Sequence, residues 1–102
     1  MAQFDVFHNP RRGAFPLLLD VQADLLAPLA TRVVVPMAKF QRYGAKPITR
    51  LNPTASVRGV EYVLVFQEVA AVPATALGKR VASLASRRDE IVAAIDLLFT
   101  GI

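Results

Sequence analysis

Residues Arg32–Ala38 read RVVVPMA. Three consecutive β-branched side chains favour the pleated surface of a strand. Pro36 has no N–H to give to a ladder, so the strand must bend, bulge or lie on a sheet edge at that point. This stretch sets the chain on the β side of the fold question, and its neighbours on both sides agree with it.

Upstream, Phe15–Val21 (FPLLLDV) reads as a second strand whose consecutive leucines require cover on both faces, with Pro16 near its start where proline is tolerated. Gln3–Asn9 (QFDVFHN) alternates Phe4 and Val6 about Asp5 and reads as a first strand. Pro10–Gly13 is the loop between them. QADLLAPLAT, residues 22–31, contains Pro28 and is read as a loop presenting Leu25 and Leu26.

Downstream, Lys39–Pro53 is more polar and is punctuated by Gly44, Pro47 and the Asn52–Pro53 pair, which suits a small projecting hairpin or wing. Ser56–Val57 and Glu61–Val69 read as strands meeting across an Arg58–Gly59 turn, the second being the longest strand candidate and ending by Pro73. The last element is a helix. Ser86 and Asp89 have the spacing of a capping box, and Ile91, Ile95, Leu98 and Ile102 form one apolar stripe opposite Asp89, Ala93, Asp96 and Thr100. Leu84 closes over the same core. Five or so short strands followed by one helix predict an antiparallel barrel or curled sheet with a terminal helix packed on it.

The final residues, LLFTGI, admit two readings. Gly101 can take the left-handed conformation that stops a helix, with Ile102 folding back on Leu97. Alternatively Leu97 and Phe99, which lie off the stripe, need a second apolar surface such as a dimer mate. Asp96 sits in the last turn, where the helix dipole disfavours a carboxylate by about 0.3–1 kcal/mol.

The 102 residues bound the answer to one domain, residues 1–102, and 54% are apolar, more than one small core absorbs. An oligomer interface is the simplest outlet for the excess. The apolar runs fall short of the ~18 residues that a membrane span needs, and MAQFD lacks the features of a signal peptide, so a cytoplasmic location is expected. The absence of cysteine excludes disulfides and thiolate metal sites. The net charge of +4 would attract an acidic peptide or a nucleic acid alike, but the arginines are not interleaved with stacking aromatics.

For catalysis the candidates are sparse. His8 is the single histidine and, by alternation with Phe4 and Val6, belongs to the core or its rim. Arg11, Arg12 and Thr31 or Thr49 could be assembled with it into a ribonuclease site, although their spacing does not demand it. Asp20 and Asp24 could hint at a metal, but bonding to loop amides or to an arginine fits two carboxylates at a strand–loop junction better. Glu61 and Glu68 look solvated. There is no phosphate-cradling loop, nucleophile elbow or metal-ligand cluster.

Taken in order, MAQFDVF, LLLDVQADLL, RVVVPMA and AAVPATALGKRVASLASRRDEIVAAIDLLFTGI resemble the CcdB family, the toxin half of toxin–antitoxin pairs, over essentially the whole length. The resemblance implies a β-rich α+β fold: an SH3-like five-stranded barrel, a small three-stranded wing and a C-terminal helix. It implies a homodimer with the helix ends near the two-fold axis. It implies binding to the DNA gyrase A subunit, which traps the enzyme on cleaved DNA, and neutralisation by a cognate antitoxin whose disordered acidic segment wraps the toxin. No catalysis by the toxin, no cofactor, no metal, no direct nucleic-acid contact and no membrane follow from that mechanism.

The family's target-contacting end is Phe-Trp-Gly-Ile preceded by an asparagine on the exposed helix face. Phe99, Gly101 and Ile102 match it, whereas Thr100 stands at the tryptophan position and Asp96 at the asparagine position. Leu25 and Leu26 replace an isoleucine pair, and Phe4 matches. These departures leave open a gyrase poison with altered contacts, a toxin with another target, and a homologue that only binds an antitoxin. A MazF-like endoribonuclease on the same barrel is the alternative from a different class.

Overall fold

The computed structural model describes all 102 residues. Seven strands form one antiparallel sheet: β1 (Asp5–His8), β2 (Leu17–Asp20), β3 (Thr31–Lys39), β4 (Thr54–Val57), β5 (Val60–Leu64), β6 (Ala70–Pro73) and β7 (Arg80–Ser83). A single α-helix, α1 (Arg88–Thr100), follows them. The order across the sheet is β4-β5-β3-β2-β1-β7, and β6 branches off by pairing with β3. The result is a β-rich α+β fold, a curled sheet with one C-terminal helix.

β3 organises the sheet. One edge pairs with β2 from Leu17↔Met37 to Asp20↔Val34. The other edge is divided, with β6 pairing Thr31–Val34 and β5 pairing Met37–Lys39. Pro36 lies in the gap between these two partners. Its carbonyl still accepts from Val65 N–H at 2.9 Å. Proline is thus tolerated in a central, buried strand because it sits where the strand changes neighbour.

The continuous strand expected over Glu61–Val69 is broken. β5 ends at Leu64, a 3-10 turn over Phe66–Glu68 drives Phe66 into the core, and β6 starts at Ala70. The wing expected within Lys39–Pro53 contains no strand; a 3-10 turn at Phe40–Arg42 leads into irregular chain. The projecting hairpin is β4–β5 instead. Its two-residue turn places Arg58 (φ 51°) and Gly59 (φ 81°) between paired Val57 and Val60. Positive φ at both central positions matches the twist of the flanking strands.

The core consists of Val6, Leu17, Leu19, Val35, Met37, Leu64, Phe66 and Ile91 with their neighbours. β2 is buried at all four residues, as the leucine run requires. α1 lays Ile91 and Ala94 on the core, with Ile95 and Leu98 partly buried beside them. The expected capping box does not form. A 3-10 turn at Ala85–Arg87 feeds the helix, Arg87 is the N-cap residue, and no side chain caps it. Asp89 and Glu90 in the first turn still suit the helix dipole.

Candidate functional site

The corner between β2 and β3 is built on a buried ion pair. Asp20 lies at 0% and Arg32 at 2% exposure. Arg32 Nε and Nη2 both donate to Asp20 Oδ2, at 2.9 and 2.6 Å. The other carboxylate oxygen accepts from Gln22 N–H at 3.0 Å. Gln22 Oε1 accepts from Val33 N–H, and Gln22 Nε2 donates to the Leu26 carbonyl, each at 3.1 Å. Burying such charges is tolerable only when all are paired and bonded, and no buried side-chain nitrogen or oxygen in the protein lacks a partner.

This network presents the Leu25–Leu26 turn. Leu25 is 88% and Leu26 45% exposed. Asp24 secures the turn from the other side by accepting from Gln3 N–H at 2.7 Å. Asp20 and Asp24 are therefore consumed by an arginine and by loop amides, and no group of three or more His, Cys, Asp or Glu side chains is placed to hold a metal.

Phe4 stands next to this corner but points inward, at 3% exposure. Its φ of 71° is uncommon for a bulky residue and costs of order 1–3 kcal/mol. The backbone holds it there: Phe4 N–H donates to the Asp20 carbonyl at 2.6 Å, and Leu84 N–H donates to the Phe4 carbonyl at 2.8 Å. The Arg88 guanidinium lies 5.7 Å from its ring centroid, within cation–π range. Phe4 thus offers little surface to a partner and supports the first turn of α1.

The last turn of α1 has the opposite character. Phe99 is 70% and Ile102 81% exposed, and Asp96 and Thr100 are exposed beside them. Gly101 adopts φ 76° and donates to the Leu97 carbonyl at 3.0 Å, so it terminates the helix through one bond in a left-handed turn. Ile102 does not fold back. Its carbonyl accepts from Arg50 Nη2 at 2.8 Å. Thr100 Oγ1 donates to the Asp96 carbonyl at 2.6 Å, which commits the hydroxyl to the helix. The tip is a bare apolar knob with one carboxylate on its flank.

Within one chain the predicted contact residues form two patches. Leu25 and Leu26 are tied through Gln3 and Phe4 to the start of α1. Asp96 and Phe99–Ile102 lie towards its far end, about 12 Å along the axis for Asp96 and about 18 Å for Thr100 at the usual rise per residue. Arg50 belongs with the second patch. It is held by a loop that Asn52 anchors: Asn52 Oδ1 accepts from Ile48 N–H, and Nδ2 donates to the Leu64 carbonyl and to Gln67 Oε1. No local pattern marks Arg50, because its partner is 52 positions away. Its positive φ of 70° appears only in the folded chain.

The family model described as CcdB protein matches residues 3–101. The chain belongs to the CcdB family. The match runs through both patches of this CcdB-family chain, including Asp96, Phe99, Thr100 and Gly101.

The residues considered for RNA cleavage do not converge. His8 is exposed at the end of β1, contrary to its expected place beside Phe4 and Val6: Asp5, Val6 and Phe7 are all buried, so the strand does not alternate, and its pairing with β7 shifts register between Val6 and Phe7. Arg12 lines a cleft with Lys39 and Arg42, without His8, Thr31 or Thr49. No helix is long and apolar enough to cross a membrane.

Two pKa shifts lie at the start of α1. Hydrogen bonds between Arg87 and Glu90, at 2.6 and 2.8 Å, raise the arginine and lower the carboxyl from their ordinary ranges. Arg87 also donates to the Thr54 carbonyl at 2.8 Å, which fastens the helix start to β4.

Proposed function

We propose that this chain is the toxin of a type II toxin–antitoxin pair, acting in the cytoplasm as a homodimer of single-domain subunits. It binds the DNA gyrase A subunit, traps it on cleaved DNA without catalysing a reaction, and is neutralised by a cognate antitoxin. The observation that carries this reading is the tip of α1. The helix is anchored at its start, ends cleanly at Gly101, and leaves Phe99 and Ile102 uncovered. Large apolar side chains in such a position are expected to be interface anchors.

The dimer supplies what one chain lacks. A two-fold axis near the ends of α1 pairs two tips and lets each Leu25–Leu26 turn serve the same docking surface. On this reading the curled sheet is an SH3-like barrel of β6-β3-β2-β1-β7, and β4, β5 and the second half of β3 form the three-stranded wing. The toxin binds one conformation of its target and shifts the population towards it.

Thr100 and Asp96 favour a second reading, in which the same tip serves a different target or an antitoxin alone. Threonine removes the largest anchor, and Asp96 adds a charge that repels an acidic surface and attracts an arginine. A growth assay separates the outcomes. Expression without the antitoxin is expected to arrest cells carrying wild-type gyrase and induce a DNA-damage response. A poison-resistant A subunit should relieve the arrest. Arrest with RNA degradation would establish the nuclease alternative, and no arrest would leave antitoxin binding alone.

A further inference from the structure

The end of α1 is short of positive charge. Its last turn contains no basic residue, and Asp96 adds a carboxylate there. The carbonyl end of a helix is the negative end of its dipole, so a cation for it has to come from another part of the chain. Arg50 supplies one. Its Nη2 donates to the Ile102 carbonyl at 2.8 Å, the one hydrogen bond that this side chain makes. The three salt bridges of the protein use Arg32, Arg80 and Arg87, so no carboxylate competes for Arg50.

The turn that carries Arg50 is fixed by its own bonds. The Ile48 carbonyl accepts from Leu51 N–H at 3.1 Å and from Asn52 N–H at 2.8 Å, which closes the chain tightly around Thr49 and Arg50. Asn52 is buried and ties the turn to the end of β5 through the Leu64 carbonyl at 3.1 Å. Gln67 bonds Asn52 and the Tyr43 hydroxyl. Within this frame Arg50 takes φ 70°. A side chain in the left-handed region persists only where the surrounding structure over-determines the backbone. A depression of about 310 Å³, lined by Arg50, Pro53, Glu90 and Ala93, lies between the turn and α1. Turn and helix are not packed together there, and the guanidinium makes the link to the helix end.

We propose that Arg50 is a positioning residue of the docking tip, holding the Gly101–Ile102 end in one conformation before a partner arrives. The bond is charge-assisted, and an arginine keeps its charge at every physiological pH. Fixing one residue's backbone in advance is worth about fivefold to thirtyfold in affinity. An exposed bond realises part of that, about threefold to tenfold. That the tip docks on the gyrase A subunit rests on the function proposed above; the tether itself does not.

The test joins two measurements on the full chain. Backbone NMR order parameters read the tip directly, and a calorimetric titration with the gyrase A subunit reads docking. Arg50→Gly is the main variant, because glycine accepts the left-handed conformation and the turn keeps its shape. The Ile102 amide is expected above ~0.6 in wild type and below it in Arg50→Gly. Affinity should fall about threefold to tenfold with the melting point little changed. Arg50→Lys, which keeps the charge and a donor, should lie between the two. Arg58→Gly is the control: Arg58 is also exposed with positive φ, in the β4–β5 turn, and its side chain makes no hydrogen bond, so both readouts should stay at wild type.

Equal order at Ile102 in wild type and Arg50→Gly would overturn the proposal. So would loss of order throughout α1, which would make Arg50 a structural residue. Wild-type affinity with a loosened tip would overturn it too, and an equal loss with Arg58→Gly would reduce the effect to net charge. If the wild-type chain does not bind the A subunit, the gyrase reading alone fails, and the order parameters still decide the tether.

Discussion

Arg32 is inside this protein and Phe99 is outside it. The charged side chain is all but inaccessible and the aromatic ring is largely exposed. Each inverts the ordinary preference of its residue type, and the two inversions have different causes. Arg32 is buried because Asp20 and Gln22 complete a bonded corner that holds the Leu25–Leu26 turn in place. Phe99 is exposed because α1 faces the core with Ile91, Ala94, Ile95 and Leu98, and Phe99 lies off that face. The first region stabilises the fold, and the second is available for a partner.

The sharpest way to break the contrast is Asp20→Ala. It leaves a buried guanidinium unpaired and is expected to cost about 3–5 kcal/mol in denaturant unfolding, while Asp20→Ala with Arg32→Met should recover much of that. Phe99→Ala is the mirror experiment. Stability should stay within about 0.5 kcal/mol of wild type, and target affinity should fall by about 2 kcal/mol or more. An equal loss of both would place Phe99 among structural residues.

Thr100→Trp is expected to tighten target binding in a calorimetric titration, by up to the ~2 kcal/mol that such an anchor contributes. Unchanged affinity would count against the contact patch. Removing Gly101 and Ile102 should weaken target engagement and largely keep the melting point. Arg50→Ala, which deletes only the bond to the Ile102 carbonyl, should cost about 0.5–1.5 kcal/mol or less, and at this exposed site the low end is expected. A collapsed melting point in the truncated chain would instead show that the pair closes the helix.

The smallest effect is electrostatic. Glu90 has a lowered pKa in the folded state, because Arg87 hydrogen-bonds its charged form. Its contribution is therefore present above the usual carboxylate range and is lost as pH falls through the lowered value. The pair is solvent-screened, so Glu90→Gln should remove at most about 1 kcal/mol near neutral pH and nothing at strongly acid pH. Thermal melts across that range read the difference directly.

The parts of the fold that could be read from the chain are those whose cause is local. The leucines of β2, the valines of β3, the Arg58–Gly59 turn and the Gly101 helix stop each declare themselves within a few residues. β6 and β7 do not. AAVP and RVAS are short and weakly apolar, and they become strands because β3 and β1 offer open edges. The capping box failed because the chain enters α1 through a 3-10 turn, which leaves Ser86 one residue before the N-cap.

The site divides in the same way. The exposed tip and the Leu25–Leu26 turn were visible in the sequence, since both are apolar side chains beside proline, glycine or a chain bend. The burial of Arg32, the inward turn of Phe4 and the reach of Arg50 were not. Each depends on a partner brought up from at least 12 positions away, and no spacing rule encodes that.

Pro36 leaves a seam in the sheet. Because it has no N–H to share, β5 and β6 are never zipped into one continuous edge, and the strand pairing between the β4–β5 arm and the rest of the sheet is limited to the last three pairs of β3. Such an arm can open while the remaining strands stay closed. Amide exchange should therefore proceed in two steps, the arm releasing its protons at a lower free energy than the β1–β2–β3 body, and Pro36→Ala should bring the two closer together.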